Sequence, residues 1–295
     1  VSTALADAPA TPGGVRGFLR LVAIEHSVFA LPFAYIAALT AMRRDVRWYD
    51  LALVTVAMVA ARTFAMAANR VIDRELDARN PRTASRELVT GALPVRTATT
   101  GMAVALAVFL AAAAALNPLC LALAPVALIP LTIYPYAKRY TWLCHYVLGL
   151  AQAIAPVGAW VAVTGTFRGS APAIWLGLAV GTWIAGFDLV YACQDIESDR
   201  REGVHSLPAR FGARGALATS IATHVVTVAL LVAYGLSAHL GALWWAGVAA
   251  TTVALAYEHA IVSPTDLSRV NRAFFTVNGW VGIGLLAFAV ADLFL

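Results

Sequence analysis

Two short stretches hold most of the residues able to do chemistry. The first, NRVIDRELDARNPRTASR, runs from Asn69 to Arg86, and eight of its eighteen residues are charged in a chain that is only 13% charged. The second, DLVYACQDIESDRR, runs from Asp188 to Arg201. Asn69, Asp73 and Asp77 lie four apart, which stacks them on one face of a helix. Asp195 and Asp199 repeat that spacing, and Asp188 precedes Asp195 by two turns on the same face. Carboxylates stacked in this way repel one another, and beside hydrocarbon they cost still more. They need positive charge. Arg74, Arg79, Arg200 and Arg201 are placed to supply part of it, and a hard divalent cation is the other source. Oxygen ligands without His or Cys favour Mg²⁺ over zinc. Mg²⁺ usually takes one or two carboxylates, waters and substrate phosphates rather than an all-protein cage. Two facing carboxylate columns therefore suit ions that bridge a diphosphate.

One acidic helix end is ordinarily a solvated interfacial charge. Two matched ones point to a site. Asp73 and Asp195 are 122 residues apart, as are Asp77 and Asp199. Each segment is followed by basic residues and a glycine-containing turn into another apolar run.

The elements that carry these residues are written in the hydropathy. The chain has 295 residues, 61% hydrophobic, with mean hydropathy +0.76. A soluble domain is nearer half apolar and a quarter charged. Apolar runs of about 20 residues, enough to cross a bilayer, recur at 18–42, 50–72, 97–116, 118–137, 143–164, 172–193, 216–236, 240–261 and 273–294. The expected fold is all-α: a polytopic membrane protein of nine transmembrane helices, arranged as two related four-helix units plus a ninth helix. Residues 1–17, small and rich in Pro and Gly, read as a disordered lead-in, and 18–295 as one membrane domain.

With the N-terminus inside, sixteen of the 21 basic residues fall on the cytoplasmic side. Arg43, Arg44, Arg47 and Arg168 fall outside, and Arg62 lies within a span. The bias follows the positive-inside rule and puts both acidic segments at the cytoplasmic face of a cell's inner membrane. The net charge of +5 then belongs to topology, with no nucleic-acid partner and no protein partner called for. The cysteines Cys120, Cys144 and Cys193 show neither CxxC spacing nor a paired framework.

Here the residues reach a resemblance. NRVIDRELDARNPRTASR resembles the first Asp-rich motif of the UbiA-type intramembrane prenyltransferases, an NxxxDxxxD followed by a basic RTxxR turn. DLVYACQDIESDRREGVHSLPARFG resembles their second, with Asp188, Asp195 and Asp199 in matching places. YPYAK, Tyr134 to Lys138, resembles their YxxxK element. Many members carry Asn-Asp at the start of the first motif, whereas Arg70 follows Asn69 here.

The resemblance implies transfer of a polyprenyl group from polyprenyl diphosphate to an acceptor, with Mg²⁺. On that reading Asp73, Asp77, Asp195 and Asp199 hold metal on the diphosphate, assisted by Asn69. Lys138 and Arg139 stabilise the leaving group. Tyr134, Tyr191 and Trp183 offer aromatic faces to an allylic cation, although a Trp at such a place is ordinarily packing. Asp188, deeper than the metal column, orients or deprotonates the acceptor. Arg82 and Arg86 take an acceptor carboxylate or cap the site. Glu25 and His26, ionisable within the first span, face the acceptor pocket. Glu258-His259 is expected at the cytoplasmic interface. The isoprenoid tail leaves sideways into the lipid bilayer.

RLVAIEHSVFALPFAYIAAL resembles the first helix of the 4-hydroxybenzoate polyprenyltransferase-like branch, and within it the members that serve menaquinone synthesis by the futalosine route. The acceptor is then an aromatic acid, a hydroxybenzoate or a dihydroxynaphthoate. Haem or chlorophyll prenyl transfer is the alternative within the family. A secondary transporter is the alternative outside it, but its charges belong near the midplane. The DG…AR…G…D…D pattern of phosphatidyl-alcohol transferases is absent from the sequence.

Overall fold

The structure, a computed structural model, describes residues 14–22 and 30–295. Its elements are α1 (Val15–Leu21), α2 (Leu31–Met42), α3 (Trp48–Ile72), α4 (Arg74–Arg79), α5 (Glu87–Thr90), α6 (Val95–Leu116), α7 (Pro118–Ala137), α8 (Cys144–Thr164), α9 (Ala171–Ala192), α10 (Ile196–Glu202), α11 (Leu207–Ser237), α12 (Ala242–Ala260) and α13 (Asn278–Phe294). No strand occurs among the described residues, where the one bridge joins Ser263 to Asp266. Seven helical segments are long and apolar enough to cross a membrane. Two more helices stand where apolar runs were expected: α2, with 12 residues, and α12, with 19. Lipid explains the outside of the bundle. Val104, Val126, Ile129, Leu150, Val225, Val253 and Ile283 all face outward, as apolar side chains do when the solvent is hydrocarbon.

The helices form a ring of neighbours: α3 packs along α6, α7 along α8, α8 along α9, α9 along α11, and α12 along α13, with α2 against α8 and α13. Small residues permit the closest approach. A Cβ on Gly149 of α8 would strike the Gly181 carbonyl of α9, and one on Gly177 would strike the Ala153 carbonyl. Membrane helices that lack a hydrophobic drive to associate rely on such close packing. The largest core cluster surrounds Trp183 on α9, whose ring lies 5.1 Å from both Phe33 and Phe187. The tight α6–α7 turn is held by Asn117. Its oxygen accepts from Cys120 N, and its amide donates to the Val161 and Ala162 carbonyls of α8 at 3.0 Å.

Three irregularities shape the working end. Gly212 takes φ 73°, ψ 175° inside α11, a backbone state open to glycine, and it separates a short surface turn from the long apolar helix. A π-helical turn, Arg272–Val277, precedes α13. Most telling, α3 gives way to α4 at Asp73 (φ −92°, ψ 2°), and the 3₁₀ turn Cys193–Asp195 gives way to α10 at Asp195 (φ −103°, ψ 4°). The two acids that are 122 residues apart in sequence thus occupy the same kind of helix junction. Glu258, near the end of α12, is fully buried, and His259 beside it meets His224 at 2.9 Å. Their face of α12 is turned toward α11 and α13 rather than water.

Gly149→Ala should lower the melting midpoint in detergent, with a loss of about 1–3 kcal/mol from overpacking. Gly158→Ala on the same helix, where a Cβ meets nothing within 4 Å, should leave the midpoint unchanged. Equal midpoints for both variants would show that the α8–α9 contact is not close.

Candidate active site

Both acidic junctions open on one cavity of about 200 Å³. Its walls include Asn69, Asp73 and Asp77 from the first segment, Asp195 and Asp199 from the second, and Lys138 from the end of α7. The turn after α4 folds back over it with Asn80, Arg82, Thr83 and Arg86. That turn is built locally: Thr83 Oγ1 donates to the Asp77 carbonyl at 3.0 Å, and Arg82 N donates to Asn80 Oδ1 at 2.9 Å.

Each carboxylate has found its counter-charge or donor. Asp73, 1% exposed, takes Lys138 Nζ at 2.5 Å on Oδ2 and the Asn69 amide at 3.0 Å on the same atom. Its other oxygen, Oδ1, is buried without a hydrogen bond among the described residues, with Arg139 3.8 Å away. Burial pushes the Asp73 carboxyl above its ordinary range, and Lys138 opposes that shift. Asp77 takes Arg86 Nη1 on both oxygens at 2.5 and 2.6 Å. Asp195 is held by the Arg82 fork at 2.9 and 2.6 Å and by the Asn80 amide at 2.9 Å. Burial alone would lower the Arg82 pKa, and the bonds to Asp195 more than reverse this. Asp199 accepts from the Ser206 hydroxyl at 2.7 Å, and Ser206 also caps α11 by accepting from Ala209 N.

The arginines expected to neutralise the acids do other work. Arg74 donates to the Leu88 carbonyl and Arg200 to the Ala209 carbonyl. Arg79 pairs with Glu202, and Arg201 reaches both Glu202 and the Arg79 carbonyl. These contacts fasten α4 to α10 at the rim. Residues next to an acid on a helix point away from it, so the counter-charges come instead from Arg82, Arg86 and Lys138, beyond the turns. Arg70 donates to the Leu21 carbonyl at 3.2 Å and so docks α1 on α3.

Other expected residues take different places. Arg139 donates to the Ile72 carbonyl at 2.7 Å and caps the end of α3. The Tyr134 hydroxyl donates to the Ala65 carbonyl at 3.4 Å. Tyr191 lies beside Arg82, with its ring 5.1 Å from the guanidinium carbon and its hydroxyl 3.2 Å from Nη1. Phe274 on the π-helical turn stacks on Tyr191 at 4.2 Å. Trp183 is enclosed in the core with its N–H on Asn278, so it packs rather than faces a cavity. Asp188 pairs with His145 Nδ1 at 2.7 Å. Glu25 and His26 lie outside the described residues. Sequence reasoning missed His145, Asn80 and Ser206. An ionisable residue heading an apolar run, as His145 does in TWLCHYVLGL, was a legible signal.

All the ligand atoms that converge here from the two junctions are oxygens. No group of three acidic, His or Cys residues among those described is arranged to hold an ion unaided. The donor set and the bare Asp73 oxygen fit Mg²⁺ that is completed by substrate phosphates. A second cavity of about 420 Å³, almost wholly apolar, lies among α3, α6, α7, α8 and α9, with Arg62 and Gln152 in its wall.

Residues 30–280 match the model of the UbiA prenyltransferase family. Over 228 residues the chain is 36% identical to the 4-hydroxybenzoate octaprenyltransferase of Xanthomonas euvesicatoria pv. vesicatoria (strain 85-10), covering 76% of this chain and 74% of that one. The octaprenyltransferase of the same name from Alkalilimnicola ehrlichii is 34% identical over 223 residues, with 74% of each chain covered. The apo structure of a UbiA homologue from Aeropyrum pernix K1 superposes with a TM-score of 0.84 at 36% identity, covering 91% of this chain and 98% of that one. A UbiA homologue from Archaeoglobus fulgidus bound to DMAPP and Mg²⁺ superposes with a TM-score of 0.71 at 21% identity, covering 94% and 99%. That last likeness is one of fold.

Arg86→Met should destabilise the protein by on the order of 2 kcal/mol, because it strands the Asp77 carboxylate. Asp77→Asn in the Arg86→Met background should recover part of the melting midpoint. An Arg86→Met midpoint equal to wild type would show that the pair does not hold the turn.

Proposed function

The chain belongs to the UbiA prenyltransferase family, and from that premise we propose Mg²⁺-dependent transfer of a polyprenyl group from its diphosphate to a hydroxylated aromatic acid, a precursor of a respiratory quinone. One observation carries the reading: two acidic helix junctions 122 residues apart close on a single polar cavity lined by Lys138, Arg82 and Arg86. The relatives named 4-hydroxybenzoate octaprenyltransferase support an aromatic acid acceptor. The Archaeoglobus homologue bound to DMAPP and Mg²⁺ supports the diphosphate and the ion.

Asp73, Asp77, Asp195 and Asp199, with Asn69, are the residues that would hold Mg²⁺ against the diphosphate. When bound, the ion supplies electrostatic stabilisation of charge on the leaving pyrophosphate. Lys138, Arg82 and Arg86 are released from their acids to phosphate oxygens, where Arg forks and the Lys point charge both bind well. The bond between the allylic carbon and the bridging oxygen breaks, and the electron pair leaves with pyrophosphate. The allylic cation is met by aromatic faces, for which Tyr191, beside Arg82, and Phe274, packed on Tyr191, are the candidates. An electron-rich ring carbon of the acceptor attacks the cation, and the ring then loses its proton to the released pyrophosphate. The apolar cavity among α3, α6, α7, α8 and α9 accommodates the isoprenoid chain beside the bilayer.

We read α2, with the residues before it, and α12 as the first and eighth of nine spans. The N-terminus and the acidic junctions lie on the cytoplasmic side, as the basic residues require. Both hydroxybenzoate and 1,4-dihydroxy-6-naphthoate fit one pocket plan. The motif details favour the naphthoate and the named relatives the benzoate. A transporter would need its charges at midplane, whereas these sit at helix ends.

The purified protein, given Mg²⁺, a polyprenyl diphosphate and each acid in turn, should yield a product heavier than the acid by one polyprenyl group less one hydrogen. Chelation of the metal should abolish it, and Asp73→Asn or Asp195→Asn should cost at least about a hundredfold in turnover. Near-normal turnover by both variants would contradict the assignment of the acids.

A further inference from the structure

His145 is the second residue of α8 and only 4% exposed. It lines the polar cavity with Asp73, Lys138, Asp199 and Ser206. One ring nitrogen, Nδ1, is bound to Asp188 Oδ2 at 2.7 Å. The other, Nε2, is buried with no hydrogen-bond partner among the described residues. A buried polar atom without a partner is costly, and because His145 belongs to the wall of the polar cavity, a ligand bound there is the group best placed to satisfy it. A carboxylate accepts and does not donate, so Nδ1 carries its hydrogen toward Asp188. That bond fixes the plane of the ring and with it the direction of Nε2.

We propose that His145 is a diphosphate ligand, donating from Nε2 to a phosphate oxygen, and that Asp188 is the positioning residue that aims it. The proposal rests on the reading of the cavity as a diphosphate site and gives Asp188 a new role. Between the Asp188 carboxylate on one side and phosphate on the other, the ring carries a hydrogen on both nitrogens and a positive charge. His145 then joins Lys138, Arg82 and Arg86 as a fourth cation on the substrate. It differs from them in one respect. The three longer side chains must let go of their own carboxylates to reach phosphate, while His145 keeps its carboxylate on the far nitrogen and offers a free one. It is preorganised where the others exchange partners. On this account Oδ2 of Asp188 is committed to the ring.

Inorganic pyrophosphate with Mg²⁺ is the direct probe, titrated calorimetrically into the full chain in detergent without any aromatic acid. His145→Ala should weaken its binding by about tenfold or more, the effect of losing a hydrogen bond to a charged group. His145→Gln, which keeps an N–H donor without the charge, should fall between the variant and wild type, and it reports on folding if His145→Ala is unstable. Asp188→Asn should weaken pyrophosphate in the same direction. The double variant His145→Gln/Asp188→Asn should be no more than about twofold weaker than the worse single one, since the two act as a unit. In turnover, KM for the prenyl diphosphate should rise while KM for the acid stays within about twofold. Pyrophosphate affinity in His145→Ala and His145→Gln equal to wild type would overturn the proposal, as would a loss confined to the acid. Wild-type prenyl transfer with unchanged pyrophosphate binding in the variants would defeat this inference alone. Absence of wild-type transfer to either acid would defeat the reading of the acceptor, with the pyrophosphate titration still deciding the role of His145.

Discussion

The structure depends on keeping four carboxylates together at the edge of a bilayer. Acids stacked at one helix end repel, and a nearly enclosed one such as Asp73 loses its water as well. The fold answers by bringing cations from elsewhere in the chain. Lys138 arrives from the end of α7, and Arg82 and Arg86 arrive on the turn that folds back over α4. The long-range features of the acidic end follow from this need. The Asn80 turn bridges to Asp195, Arg201 reaches the Arg79 carbonyl, and the His205 amide donates to the Lys138 carbonyl at 2.7 Å. Charge compensation thus ties the first half of the chain to the second.

The same arrangement prepares the site for an anion. On the proposed function, the carboxylates now paired with Lys138, Arg82 and Arg86 would hold the metal, and those side chains would turn to phosphate. The apolar bundle below it contributes close packing through Gly149, Gly177 and Gly181 and a largely apolar cavity whose wall carries Arg62 and Gln152. On the proposed function, the chemistry belongs to the end where the backbone leaves helical geometry, at Asp73 and Asp195.

Much of this was legible in the sequence. The apolar runs marked the helices because lipid demands them, and seven segments meet the length and apolarity for a span. The four-residue spacing and the 122-residue offset located both junctions. What escaped was the pairing. Arg74, Arg79, Arg200 and Arg201 were nearest in sequence, but a helix turns adjacent residues to different sides, so proximity along the chain misled. Asn80 and Ser206 were hidden because a turn residue becomes a ligand or donor only after the chain folds back. His145 signalled itself only as a lone ionisable group heading an apolar run. The burial of Glu258 was not legible because hydropathy reports depth along a span and says nothing about which face is buried. Trp183, offered as an aromatic face although packing is the ordinary role of such a residue, is enclosed by Phe33, Phe187 and Asn278.

The central claim is that the two acidic junctions act as one clamp on a metal-bound diphosphate. A double-mutant cycle tests it most directly: Mg²⁺-dependent binding of pyrophosphate by wild type, Asp73→Asn, Asp195→Asn and the double variant. The account predicts strong coupling, with either single variant losing most of the affinity and the double variant losing little more. Additive losses, or a single variant that binds as wild type does, would contradict it.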